Sequence, residues 1–360
     1  MRSRTVRSYM FLLILLPSIF VDVSVSISFA PVIGLVSKGR QIPLWLRNIK
    51  ANKWIFSIWN KLKSLFKDPK VGDIAQGVSQ IKDYLDLFGY LNSTLHSNFT
   101  NNFTQDVQSA INVCQKNFNL KVTGQLDQDT YRIMSQPRCG VPDIINGTTT
   151  MNSGKSNTTS FRPWWKMGEK RLTYAFNPQN NVTDSIKFLF QDAFNRWSKV
   201  TSLNFSETTS FNASDIKILF VTFDGKGGTV GGADTNYSSH VGDIYLDSEE
   251  EWVLPSENLS EDGDVDLESV AMHQIGHILG LGHSSVVEAV MYPNVLTVKK
   301  TELAYDDLQR TQQIYGSRES ADKSSVAGDR LGCNLVLPLV AGFAFMLFIG
   351  FFSSPFSTFV

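Results

Sequence analysis

The sequence predicts an α+β domain over residues 161–316, preceded by a small all-helical unit over 71–138. Three observations carry this expectation. Residues 71–138 read as three short helices. From Phe161 an amphipathic helix is set among several apolar runs of strand length. A second helix then carries two histidines four residues apart.

The elements follow in order. Arg2, Arg4 and Arg7 precede an apolar run from Met10 to Phe20, as in a secretory signal peptide over 1–30. Ser24, Ser26, Ser28 and Ala30 offer cleavage positions. The alternative, an uncleaved anchor, needs about 20 apolar residues, more than the run holds. Residues 31–70 carry nine basic residues and one acid, Asp68. Trp54, Ile55, Ile58, Trp59, Leu62 and Phe66 recur there at helical spacing. That pattern fits a membrane-surface helix or, as we read it, the start of a discarded pro-segment. Candidate helices are Ile74–Phe88, Phe103–Phe118 and Leu126–Ser135, the last capped by Asp127 or Asp129. Cys114 falls in the second apolar pattern and reads as a buried thiol. Residues 144–160 are a linker rich in Asn, Gly, Ser and Thr, so the propeptide spans 31–160.

Beyond the linker, Leu172–Phe176 is a strand. Val182–Val200 is a helix with an apolar face of Ile186, Leu189, Phe190, Ala193, Phe194 and Trp197. Leu203–Phe205, Asp215–Val221 and Asp243–Leu246 are further strands. Asp266 caps the helix Leu267–Leu279, and a last helix covers Ala304–Tyr315. A spacer, 317–334, leads to a hydrophobic tail, 335–360. Leu335 to Phe352 is free of charge, and no Lys or Arg follows it. With Ser324, Ser325, Ala327 and Gly328 before a polar spacer, this predicts a GPI-attachment signal, with a transmembrane tail as the alternative.

Composition excludes some classes. Lys+Arg 33 against Asp+Glu 34 leaves a formal net charge of −1, so nothing argues for a nucleic-acid partner. Three cysteines are no disulfide framework. Asn-x-Ser/Thr sequons at Asn92, Asn98, Asn102, Asn146, Asn157, Asn181, Asn204, Asn212, Asn236 and Asn258 predict a glycosylated protein of the secretory pathway. It would act at the outer face of the plasma membrane or in the extracellular matrix.

The strongest signal is the run His273-Gln274-Ile275-Gly276-His277-Ile278-Leu279-Gly280-Leu281-Gly282-His283. Histidines at i and i+4 lie about 40° apart around a helix axis and can reach one metal. Ala271, Ile275, Ile278 and Leu279 point the other way. Gly280 ends the helix and returns His283 as a third ligand. Three His with an open fourth position is catalytic-type zinc geometry.

This run resembles the metzincin zinc-binding pattern. Ala289-Val290-Met291-Tyr292-Pro293 sits where a Met-turn belongs. Pro137-Arg138-Cys139-Gly140-Val141-Pro142-Asp143 resembles the cysteine switch of matrix metalloproteinases. Over about 71–316 the chain is identified as similar to a plant-type matrix metalloproteinase. The resemblance implies a metzincin catalytic domain, a twisted mixed sheet with an active-site helix, behind a peptidoglycan-binding-like helical prodomain. It also implies a latent zymogen in which Cys139 takes the fourth zinc position until an activating protease removes the propeptide. The substrate would be an extracellular protein or peptide.

Two departures stand out. The family has a Glu general base where this chain has Gln274, and an amide cannot accept and return a proton at neutral pH. The family's structural zinc has no counterpart: Gly232 and Tyr245 replace histidines, and His240 is unmatched, so one zinc is expected. The family's calcium site is matched by Asp224, backbone carbonyls around Gly225, Gly227 and Thr229, and Asp247 and Glu250. These features imply a zinc endopeptidase impaired by Gln274. A homologue that binds zinc and peptide without cleaving is the alternative. A glycan-binding module at 71–138 is a third, weaker reading.

Overall fold

The structure, a computed structural model, describes residues 46, 48, 49, 69–91, 99–151, 165, 169–235, 241–255, 264–295 and 299–316. The predicted signal peptide, most of 31–70, the distal linker and the C-terminal tail lie outside the described residues. So do Asn92, Asn98, Asn157, Asn236, Asn258 and His240. Among the described residues no helix is long and apolar enough to cross a membrane.

The first unit has three helices: α1 Val78–Leu87, α2 Gln105–Asn117 and α3 Gln128–Met134. α1 starts later than the apolar pattern suggests. Gly77 caps it with φ 94°, and exposed Ile74 instead bridges Asn102. Of the two capping candidates, Asp127 caps α3: its Oδ1 accepts from Thr130 N at 3.0 Å. Val78, Ile81, Leu85, Phe88, Phe103 and Ile111 form the unit's core, and Cys114 is buried among them.

After the helices come three short strands, β1 Arg138–Cys139, β2 Ile144–Ile145 and β3 Thr148–Thr149. β2 and β3 pair antiparallel across Asn146 and Gly147, with φ 51° and 75°. An Asn-Gly turn with both φ positive suits a two-residue hairpin. The proximal part of the expected linker is therefore ordered structure.

The second unit holds β4 Arg171–Phe176, α4 Asp184–Ser198, β5 Asn204–Glu207, β6 Ile216–Val221, β7 Thr229–Ala233, β8 Asp243–Asp247, β9 Trp252–Val253, β10 Val265–Asp266, α5 Leu267–Ile278 and α6 Tyr305–Tyr315. Its sheet runs β1-β7-β8-β6-β4-β5. Only the β7–β8 pairing is antiparallel. β1, from the segment expected to be propeptide, is thus an added edge strand parallel to β7. Strand β7 was not expected, because Thr229-Val230-Gly231-Gly232-Ala233 carries little bulk. At Gly231 the reason is close approach: an added Cβ would sit 3.1 Å from Leu246 Cδ2 and Tyr245 O.

α4 buries its predicted face of Ile186, Leu189, Phe190, Ala193, Phe194 and Trp197 against the sheet and α5. Trp197 Nε1 donates to Met272 O at 3.0 Å and locks the two helices together. On the opposite side, Leu219, Val221, Phe223 and Tyr245 pack against Leu46 and Ile49 from upstream. Gly232 and Tyr245, where the family would place histidines, are direct cross-strand partners.

Candidate metal centre and cleft

α5 is capped by Asp266, whose side chain accepts from Ser269 N at 2.9 Å. Ala271, Ile275, Ile278 and Leu279 are buried in the core, which turns His273 and His277 toward the cleft. Gly276 faces Met291: a Cβ there would run into Met291 Sδ. Met291 therefore lies directly beneath the histidine helix. Gly280, with φ 98°, ends it; its N–H reaches His277 O at 2.9 Å and Leu281 N reaches Gly276 O at 3.0 Å. That reversal delivers His283.

Each imidazole is held through Nδ1. His273 Nδ1 bonds Val290 O at 2.8 Å, His277 Nδ1 bonds Leu281 O at 2.9 Å and His283 Nδ1 bonds Asp143 Oδ1 at 2.7 Å. The Nε2 atoms then face one point. Burial, ahead of repulsion between the rings, pushes His273 and His277 well below the ordinary histidine value; burial also lowers His283. Neutral imidazole is the metal-binding form.

Cys139 closes the set. Its backbone N–H donates to Pro293 O at 2.8 Å, and Gly140 N donates to Gly231 O at 2.8 Å, so β1 is wedged between β7 and the chain after the Met-turn. Cys139 Sγ lies 3.4 Å from His277 Nε2. One ligand atom from each of Cys139, His273, His277 and His283 falls within 4.8 Å of the others, and all four residues are buried. His273 Nε2 and His283 Nε2 have no hydrogen-bond partner among the described residues. Three nitrogens and one sulfur with two orphaned acceptors fit zinc. Burial, offset in part by the bonds from Val141 N–H and Gln274, pushes the Cys139 thiol up to about 11, and a divalent ion beside it would reverse that sign.

Gln274 is fully buried, and its Nε2 donates to Cys139 Sγ at 3.4 Å. Among the described residues no carboxylate stands in for a base. Glu268 pairs with Arg196 at 2.8 Å, away from the histidines, and Glu288 is exposed.

Sequence reasoning missed the network behind the switch-like motif. Arg138 lies over the Phe88 ring at 3.6 Å, donates to Tyr84 OH at 2.7 Å and pairs with Asp143 Oδ1 at 2.8 Å. Tyr90 OH donates to the second Asp143 oxygen at 2.7 Å. Burial would raise the Asp143 carboxyl, but the Arg138 guanidinium and the bond from His283 overrule it and hold it at about 2. Asp143 stood within the switch-like motif, but nothing in the sequence signals its contact with His283. Nor did any signal point to Tyr90 or to Lys300, which lines the cavity beside Gln274.

A second cluster lies at the far end of β7. Asp224, Asp247 and Glu250 are buried together. Burial first, then repulsion from neighbouring carboxylates (Asp247 on Asp224 and Glu250, Glu249 on Asp247), raises them to about 8, 7 and 8. Thr229 N–H faces Asp224, and Gly227 N–H reaches Glu250 Oε1 at 2.9 Å. Asp247 Oδ2 and Glu250 Oε2 remain without partners among the described residues. Buried carboxylate oxygens left over in this way suit a hard cation. Of the sequon asparagines, Asn102, Asn146, Asn181, Asn204 and Asn212 are described, and all are exposed.

Residues 164–316 match the Matrixin family, and residues 75–134 match the putative peptidoglycan binding domain. Metalloendoproteinase 5-MMP of Arabidopsis thaliana is 42% identical over 301 residues, covering 78% of this chain and 81% of that protein. Metalloendoproteinase 2-MMP of Arabidopsis thaliana is 42% identical over 276 residues, covering 68% and 72%. Metalloendoproteinase 1 of Glycine max is 40% identical over 260 residues, covering 68% and 84%. With a helical peptidoglycan-binding-like unit leading into a mixed-sheet domain whose histidine helix sits over a methionine turn, the chain belongs to the matrixin family of metalloproteinases.

Proposed function

We propose that this chain is made as a latent zinc endopeptidase with impaired turnover. The carrying observation is that Cys139 Sγ lies among the Nε2 atoms of His273, His277 and His283. Those four residues would hold the zinc, and the peptide carbonyl takes the place of Cys139 once the propeptide is gone. Bound zinc supplies a Lewis acid and a water of lowered pKa. Gln274 lies beside that position and orients a water through its amide. It cannot take the proton, so the general-base contribution, typically about 10²–10⁴-fold, is missing. Asp224, Asp247 and Glu250, with carbonyls around Gly225, Gly227 and Thr229, would hold a structural calcium. The predicted signal peptide, sequons and apolar tail support action at the outer cell surface under a GPI anchor. Release by a phosphatidylinositol-specific phospholipase tests that anchor, and persistence in the membrane counts against it.

The alternative, binding without cleavage, is favoured by one observation: the group beside Cys139 is the Gln274 amide, which can hydrogen-bond but cannot take a proton. One experiment separates the readings. The full chain, its propeptide removed by limited proteolysis, is assayed on peptides beside Gln274→Glu. We expect kcat/KM to rise about 10²–10⁴-fold with KM little changed. Equal activities would overturn the argument from the amide. No activity in either form would favour the binding protein.

A further inference from the structure

Side chains alternate along a strand, so β6 and β8 bury one face against α4 and α5 and turn the other outward. On the outward face Leu219 and Tyr245 are direct cross-strand partners, with Val221 and, just past β6, Phe223 beside them. All four are buried, because Leu46 and Ile49, each 1% exposed, lie against them. Leu46 and Ile49 are both helical, and a spacing of three puts them on one side of a helix. Leu87 of α1 and Phe211 pack at the edge of the cluster. Of these covering residues only Phe211 belongs to the metalloproteinase domain. Leu46, Ile49 and Leu87 come from the segment expected to be propeptide.

The contact shares no residue with the metal centre. There the helical unit holds on by other means. Asn119 Nδ2 donates to Ser285 O at 2.9 Å, Asn294 Nδ2 donates to Ile133 O at 2.7 Å, and the Phe118 ring meets Tyr292 edge-on at 5.8 Å. The upstream segment thus adds a second grip whose strength owes nothing to zinc or to Cys139. Without Leu46 and Ile49 the outward face would show Leu219, Val221, Phe223 and Tyr245 to water as one apolar patch. Covering that patch is what makes separation unfavourable.

We propose that this outward sheet face is a docking site for the chain's own upstream helical segment bearing Leu46 and Ile49, and that the contact keeps the propeptide on the metalloproteinase domain after the linker between them is cut. The inference rests on reading 31–160 as a propeptide, and it sets how that propeptide leaves. One cut in the linker yields two chains in one complex. Opening the cleft then requires release of the apolar clasp as well as withdrawal of Cys139.

The test follows the fragments and not turnover. A recognition site for a specific protease is placed at 153–160, and the zinc-loaded full chain is cut there once. Size-exclusion chromatography after dilution gives the rate at which the propeptide fragment separates. The cut wild type should elute as one complex, and Leu46→Ala/Ile49→Ala should separate about 10²-fold faster or more. A variant that separates no faster, or a wild-type fragment that leaves as soon as the linker is cut, would overturn the proposal. If the variant does not fold, an excess of a peptide of residues 41–52 added to the cut wild type decides: it should speed separation, and no effect counts against the docking site. Alkylation of Cys139 in the uncut chain reads the metal-centre contact separately. If Cys139 reacts freely while the cut fragments still elute together, the latency reading fails and the docking site stands.

Discussion

Lys300, whose Nζ lies 4.5 Å from the centroid of the Tyr292 ring, shows what burial does to one side chain. Burial pulls its pKa down to about 8, with Asp307 and Glu288 offsetting only part of that. The unfolded value is about 10.4. Between the two, the unfolded chain holds the proton and the folded chain does not. Stability from this group therefore rises with pH across about 8 to 10.4, and below 8 the charged form is a standing penalty. Lys300→Met keeps the stem and removes the charge. It should stabilise the protein by ~1–3 kcal/mol at pH 7, less whatever the Tyr292 ring returns, and the gain should shrink toward pH 10. Denaturant unfolding of both forms at pH 7 and pH 10 checks this. A variant that is less stable at pH 7 would show that the ammonium is already compensated. Gln274 is the counterpart case, a residue whose change to Glu is expected to act on turnover and to leave the Nδ1 bonds of the three imidazoles in place.

At the scale of elements, α5 is built around a glycine that helix propensity disfavours. Ala is better than Gly in a helix interior by ~1 kcal/mol. Yet a Cβ at Gly276 would collide with Met291 Sδ and press on Trp197 Cζ2 at 3.0 Å. Overpacking costs about 1–3 kcal/mol, so packing should win over propensity. Gly276→Ala is expected to lower the Tm, read by thermal unfolding; a raised Tm would mean that the Met-turn yields. The helices were legible in the sequence because their apolar faces repeat with a helical period: α4 and α5 bury the residues that period picks out. The histidine run was legible for the same reason, since spacing i, i+4 and a glycine stop are local facts. What escaped is what depends on a partner strand. β7 is rich in glycine and reads as a loop until β8 lies beside it. β1 is two residues long and exists only because β7 and Pro293 bond it. Asp143 meets His283 across 140 residues of sequence, a contact with no periodicity to announce it.

At the scale of the whole molecule, two charge clusters tie distant parts together. In one, Asp224, Asp247 and Glu250 bring the ends of β7 and β8 to a point where unpaired carboxylate oxygens would suit a cation. If calcium fills it at about 100 times its Kd, it contributes about 2.7 kcal/mol, or roughly 5–10 °C in Tm. Dialysis against calcium-free buffer at fixed free zinc should lower the Tm by that amount, and calcium should restore it; an unchanged Tm would count against the site. In the other, Arg138 and Asp143 form a fully buried pair, with the guanidinium among the helical unit's aromatic rings and the carboxylate on His283. Removing one partner of such a pair strands the other charge, which costs about 3–5 kcal/mol, whereas removing both is often nearly neutral. That asymmetry predicts how the proposed switch would open. In the full-length chain, Arg138→Met should raise the rate at which an alkylating reagent reaches Cys139 by about 10²-fold or more. The double variant Arg138→Met/Asp143→Asn keeps an oxygen for His283 and turns an amide N–H to the Tyr90 hydroxyl, which can accept it, so it should restore much of the protection. If the double variant is as reactive as the single one, the guanidinium acts by packing against Phe88 and not by its charge. If neither variant exposes Cys139, the propeptide is held by the backbone bonds of β1 to Gly228, Gly231 and Pro293, and the buried pair only sets its register.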